Sequence, residues 1–131
     1  MSMMRQNLSV TQKKILLVED DAGFKELVSD YFTSAGFGVS STDNLEEAVK
    51  LFRRYRPRVV LLDFQMPGAT GDKFLPEFQA VDPHVKVIVL SGHLYEEVEG
   101  KFKGLGYYAY FEKGTLSLDK LRKKVDEALE G

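Results

Sequence analysis

Two of the most apolar runs in this chain stop at carboxylates. "ILLV" at 15–18 leads into Glu19, Asp20 and Asp21, and "VVLL" at 59–62 leads into Asp63. Two further runs end in polar groups: "VIVL" at 87–90 in Ser91 and Gly92, and "YYAYF" at 107–111 in Glu112 and Lys113. A lone ionised acid is costly to bury, so acids placed at the ends of buried segments call for a partner. At about 5 Å and an effective dielectric near 20, each pair of carboxylates repels by roughly 3 kcal/mol. Either their pKa values rise or a cation joins them. Oxygen donors without cysteine or neighbouring histidine suit a hard cation such as magnesium, which takes one or two carboxylates, waters and a phosphoryl oxygen. The chain has no P-loop and no GxGxxG match, so these acids do not belong to a nucleotide cradle.

The elements that must position these groups alternate. After "ILLV", the residues Phe24, Leu27, Val28, Tyr31, Phe32 and Ala35 recur at helical spacing, and Gly36 closes that helix. "FGVSS" (37–41) reads as a polar edge strand. Leu45, Ala48, Val49 and Phe52 form a second helix, with Thr42 or Asp43 as its cap. "RVVLL" (58–62) is the third strand, followed by a short helix around 72–80 with Pro76 in its first turn. "VKVIVL" (85–90) is the fourth strand. Val98 and Phe102 mark a helix shortened by Gly100 and Gly104, and "YYAYF" (107–111) is the fifth strand. Leu118, Leu121, Val125 and Leu129 form the closing helix. Such alternation predicts an α/β fold, a doubly wound parallel sheet of five strands with helices on both faces. Right-handed crossovers and a polar second strand give the order 2-1-3-4-5. Strands one and three then adjoin. Ligands of open parallel sheets bind outside the carboxyl ends of the strands, where Glu19, Asp20, Asp63, Ser91 and Lys113 converge.

Bulk properties narrow the class. The chain has 131 residues, 44% hydrophobic and 29% charged, enough for one globular domain. A net charge of −2 gives no electrostatic case for nucleic acid or an anionic membrane as partner. No cysteine is present, which excludes disulfides and thiolate chemistry. No apolar run exceeds five residues, far from a membrane span, and the polar start lacks a secretory core. The expectation is a cytoplasmic protein with a flexible tail over 1–12 and one domain over 13–131.

"ILLVEDD", "VVLLDFQMPGATG", "VIVLSGH" and "GYYAYFEKG" together, in this order and spacing, resemble the receiver domain of two-component response regulators. The resemblance covers residues 13–130 and implies the flavodoxin-like (βα)5 fold with this same strand order. It implies a phospho-accepting module that works with a sensor histidine kinase or phosphotransfer protein and with Mg2+. By this resemblance Asp63 is the phosphoacceptor. Asp20, Asp63 and the backbone carbonyl of Gln65 are direct metal ligands, and Glu19 acts through water. Ser91 and Lys113 bind the phosphoryl group. Tyr110 is the switch aromatic that turns inward when Ser91 moves, altering the face of helix four, strand five and helix five. His93 overlooks the site and tunes the phosphoryl lifetime. Downstream lies a protein target, or an effector domain missing from this sequence. Gly114 departs from the proline usual after the lysine, and Tyr107 replaces a usual small residue.

Plainer readings compete. Glu19, Asp20 and Asp21 are also what a helix entry favours, and Asp21 fits that role best. Tyr110 is also what strand packing favours. "RRYRPR" (53–58) reads as the solvated end of a helix, and His84 as a loop residue. At the level of function, the alternative is a pseudo-receiver, an interaction module of the same fold that works without phosphorylation. An aspartyl-nucleophile phosphatase needs a second Asp two residues after the first, where this chain has Gln65.

Overall fold

The computed structural model describes residues 13–130. The tail expected over 1–12 lies outside the described residues. Five β–α units follow one another: β1 (Lys14–Val18), α1 (Ala22–Ser34), β2 (Gly38–Thr42), α2 (Leu45–Tyr55), β3 (Val59–Asp63), α3 (Gly71–Val81), β4 (Lys86–Ser91), α4 (Tyr95–Phe102), β5 (Ala109–Glu112) and α5 (Leu118–Glu130). A two-residue ribbon, Gln65–Met66 with Ala69–Thr70, links β3 to α3. The five strands of the main sheet are all parallel, in the order β2-β1-β3-β4-β5.

The continuous apolar runs of β1, β3 and β4 are buried on both faces, as a covered parallel sheet requires. Alternate side chains enter different cores. Leu16, Val18, Val60, Leu62, Val87 and Val89 pack with Phe52, Phe78 and Phe102 from α2, α3 and α4. Ile15, Leu17, Val59, Leu61, Ile88 and Leu90 pack with Val28 and Phe32 of α1 and Leu121 and Val125 of α5. Register carries the polar ends to one edge: Val18 lies beside Leu62, Asp63 beside Leu90, and Ser91 beside Glu112.

Local chemistry sets the helix ends. Asp21 Oδ1 accepts from the Phe24 N–H at 3.0 Å, capping α1. Gly36, with φ of 93°, turns the chain away after it. The cap of α2 is Asn44, not Thr42 or Asp43: Asn44 Oδ1 accepts from the Glu47 N–H at 2.9 Å. Thr42 is occupied one step earlier, its hydroxyl accepting from the Asn44 N–H and donating to Glu47 Oε1 at 2.6 Å. Pro76 falls in the second turn of α3 because that helix starts at Gly71, within the loop expected from sequence. Its missing N–H removes one helical bond there. β5 begins at Ala109, two residues later than expected, and Tyr107 and Tyr108 lead into it.

Candidate functional site

The β1–α1 turn, the end of β3 and the turn after β5 bring four charged groups together. Glu19 is wholly buried and Asp63 is 3% exposed, whereas Asp20 faces solvent. One carboxylate oxygen from each of the three lies within 4.8 Å of the others. Each buried acid is held by backbone. The Glu19 N–H donates to the Thr42 carbonyl at 3.0 Å, and Glu19 Oε2 accepts from the Asp21 N–H at 3.0 Å. Asp63 Oδ1 accepts from the Gln65 N–H at 3.3 Å.

Lys113 is the counterion. It follows β5 directly, in a single 3-10 turn with Gly114 and Thr115. Its Nζ lies 2.7 Å from Glu19 Oε1 and 3.4 Å from Asp63 Oδ1. It also sits 4.8 Å from the centre of the Phe24 ring, a cation–π contact. The Lys113 ammonium is thus the partner of the buried Glu19 Oε1. Burial alone would lower the Lys113 pKa, but the contact with Glu19 and the charge of Asp63 outweigh it and raise it.

Asp63 responds in the opposite sense to an ordinary paired acid. Burial first, then the charge of Glu19, pushes its pKa from 3.8 to about 8, with Lys113 offsetting only part of this. The pocket therefore holds more negative charge than its one ammonium balances. An all-oxygen set of three converging carboxylates facing one ammonium fits a hard divalent cation.

The other residues singled out in the sequence lie around this centre. Ser91 is 1% exposed, and its Oγ accepts from the His93 N–H at 3.0 Å. Gln65 is exposed beside Asp63. Tyr110 is half-buried and donates from its hydroxyl to the His93 carbonyl at 2.9 Å. The His93 ring stands edge-on to Phe64, with centroids 5.9 Å apart, and its Nδ1 is 3.9 Å from Glu97 Oε1. The structure thus joins Glu19, Asp20, Asp63 and Lys113 directly and sets Ser91, Gln65, His93 and Tyr110 around them.

Sequence reasoning passed over Gly71. Its N–H donates to the Phe64 carbonyl at 2.6 Å, and a Cβ there would lie 2.8 Å from the Asp63 carbonyl oxygen. The signal was a glycine at the start of a helix, where a side chain is ordinarily tolerated. Phe24, under the Lys113 ammonium, carried no signal beyond helical periodicity.

The family profile described as the response regulator receiver domain matches residues 15–126. The chain is 28% identical over 117 residues to sporulation initiation phosphotransferase F of Bacillus subtilis (strain 168), covering 89% of this chain and 94% of that protein. It is 34% identical over 80 residues to chemotaxis protein CheY of Thermotoga maritima, covering 60% of this chain and 67% of that protein. The fold matches that of a CheY-like response regulator receiver domain protein from Methanospirillum hungatei JF-1, with a TM-score of 0.83 at 23% identity over 90% of this chain and 94% of that one.

Proposed function

This chain belongs to the response regulator receiver domain family, and we propose that Asp63 is its phosphoacceptor. Membership makes it a two-component signalling receiver rather than an enzyme acting on separate substrates, and implies histidine kinase or phosphotransfer partners. The observation that carries the proposal is Asp63 itself, buried at the carboxyl end of β3 with two acids within 4.8 Å and an ammonium at 3.4 Å.

A carboxylate oxygen of Asp63 attacks the phosphorus of a phosphohistidine or acyl phosphate. The new O–P bond forms as the bond to the donor breaks, and the donor leaves with that electron pair. Asp20, Asp63 and the Gln65 carbonyl would hold Mg2+, with Glu19 acting through water. Bound there, Mg2+ would neutralise charge on the acids and on the transferring group. Lys113 supplies a fixed positive charge beside Asp63. The Ser91 hydroxyl, already at the carboxyl edge, bonds a phosphoryl oxygen, and His93 at the rim governs how water reaches the product. Tyr110 and the face of α4, β5 and α5 then carry the change to a downstream protein target or an effector domain.

Among the described residues no helix is long and apolar enough to cross a membrane; membership of the receiver family supports a cytoplasmic location for this chain. Intact mass after incubation with acetyl phosphate and Mg2+ tests the assignment. One base-labile phosphoryl group should appear on the wild type and none on Asp63→Asn. Undiminished labelling of the variant would sink it, and a wild type that takes no label would favour the pseudo-receiver reading.

A further inference from the structure

Beside the acids, a cavity of about 480 Å3 opens between the β3–α3 ribbon and α4, lined in part by Asp20, Gln65, Pro67, Thr70, Lys73 and Lys101. Lys73 projects from the first turn of α3 and Lys101 from the last turn of α4, and both are exposed. Among the described residues neither forms an ion pair. The Lys101 ammonium is 5.9 Å from the centre of the Phe64 ring, which places it next to the residue that follows Asp63. Two cations that form no ion pair among the described residues thus share a cavity with Asp20 and Gln65, at the edge of the acidic site.

We propose that this shelf receives the leaving group of a small acyl phosphate, and that Lys73 and Lys101 set the preference for such donors. The inference rests on Asp63 as the acceptor. In-line displacement puts the leaving group on the far side of phosphorus from Asp63, outward over the mouth that the shelf borders. With acetyl phosphate, an Asp63–phosphorus bond forms, the bond from phosphorus to the acyl oxygen breaks, and acetate departs with the electron pair. Negative charge grows on the acetate oxygens, where two ammonium groups stabilise it most. With phosphoramidate, the phosphorus–nitrogen bond breaks and the nitrogen, already carrying three protons, leaves as neutral ammonia. The lysines then have no growing negative charge to stabilise. A dianionic donor also gains on approach from the two cations, and salt screens that gain.

The test compares initial labelling rates of the full chain by intact mass, with acetyl phosphate and with phosphoramidate, at equal Mg2+. In Lys73→Gln/Lys101→Gln the ratio of the acetyl phosphate rate to the phosphoramidate rate should fall roughly tenfold, and the salt dependence of the acetyl phosphate rate should flatten. Lys73→Arg/Lys101→Arg should restore most of the ratio. Because the readout is a ratio, a general loss of fold or of metal binding does not mimic it. An unchanged ratio, or equal slowing with both donors, overturns the shelf while leaving Asp63 as acceptor. Failure of the wild type to label with either donor would instead remove the underlying assignment.

Discussion

Lys113 lies closer to Glu19 than to Asp63, at 2.7 Å against 3.4 Å. The ammonium is thus shared between two buried acids and cannot balance both. Asp63 is left with its pKa raised to about 8 by burial and by Glu19. A carboxylate nucleophile in this state is poorly charged until more positive charge arrives. The same geometry that makes the site ready for a cation makes the cation-free protein sensitive to pH.

Without metal, stability should fall as pH rises from about 5 to about 8. The folded pKa of Asp63 lies above the ordinary value, so the folded state holds more protons than the unfolded chain across that window. The contribution is fully present below the unfolded pKa and is lost as pH climbs through about 8. Its slope is bounded by roughly 1.4 kcal/mol per pH unit. Urea midpoints in EDTA across this range should show the decline in wild type and a flatter profile in Asp63→Asn. Parallel profiles would mean that Asp63 is not the group responsible.

Magnesium should reverse that weakness. Binding to the folded state alone adds RT ln(1 + [Mg2+]/Kd), about 1.4 kcal/mol at ten times Kd. Asp20 is exposed, so its own contribution to repulsion is smaller than that of the two buried acids. Asp20→Asn should therefore gain only slightly in EDTA but lose most of the Mg2+ increment. Thermal melts of both proteins, with EDTA and with Mg2+, decide this. An equal Mg2+ response in the variant would reduce Asp20 to a helix-entry acid.

Periodicity and turn residues made the elements readable in the sequence, and the polar second strand together with the family resemblance made the sheet order and the converging strand ends so. β1, β3 and β4 are uninterrupted apolar runs, and the serines of β2 mark its edge. What escaped depends on spatial contact. Asn44 displaced Thr42 as the α2 cap because the Thr42 hydroxyl is engaged by Glu47, a pairing invisible in spacing alone. The division of Lys113 between Glu19 and Asp63 required side-chain placement, and so did the closeness of Gly71 to the Asp63 backbone.

That closeness gives a direct prediction. In Gly71→Ala the new Cβ would sit 2.8 Å from the Asp63 carbonyl oxygen and 3.2 Å from the Leu62 side chain. Backbone cannot yield as a flexible side chain does, so the end of β3 must move. The expected cost is about 2 kcal/mol, in the usual range for overpacking. Because the displaced backbone carries the acceptor, the labelling rate with acetyl phosphate should also fall. Chemical denaturation and intact mass measure the two effects. A variant as stable and as readily labelled as wild type would show that this contact relaxes freely.

The last prediction concerns how the site reaches the α4–β5 face. The Tyr95 N–H donates to Glu112 Oε2 at 2.9 Å, one residue before Lys113. The Tyr95 ring stacks edge-on to Tyr110, with centroids 5.2 Å apart, and its hydroxyl meets that of Tyr107 at 2.7 Å. Tyr110 in turn bonds the carbonyl of His93, whose N–H is held by Ser91. The hydrogen bond to Tyr95, followed by burial, pushes the Tyr107 phenol up to about 12, so its hydroxyl stays protonated and bonded near neutral pH. Movement of Ser91 toward a phosphoryl group must therefore disturb Tyr110, and Tyr95 with it. Beryllofluoride, which mimics the phosphoryl group, should shift amide resonances of Ser91, His93, Tyr95, Glu99, Tyr108 and Tyr110 together. Tyr107→Phe should cost about 1 kcal/mol for the lost hydrogen bond. It should also weaken the response at Tyr95 and Glu99 while leaving that at Lys113 intact. Shifts confined to Glu19, Asp20, Asp63 and Lys113 in wild type would show that the tyrosines only pack, and that no change passes through them.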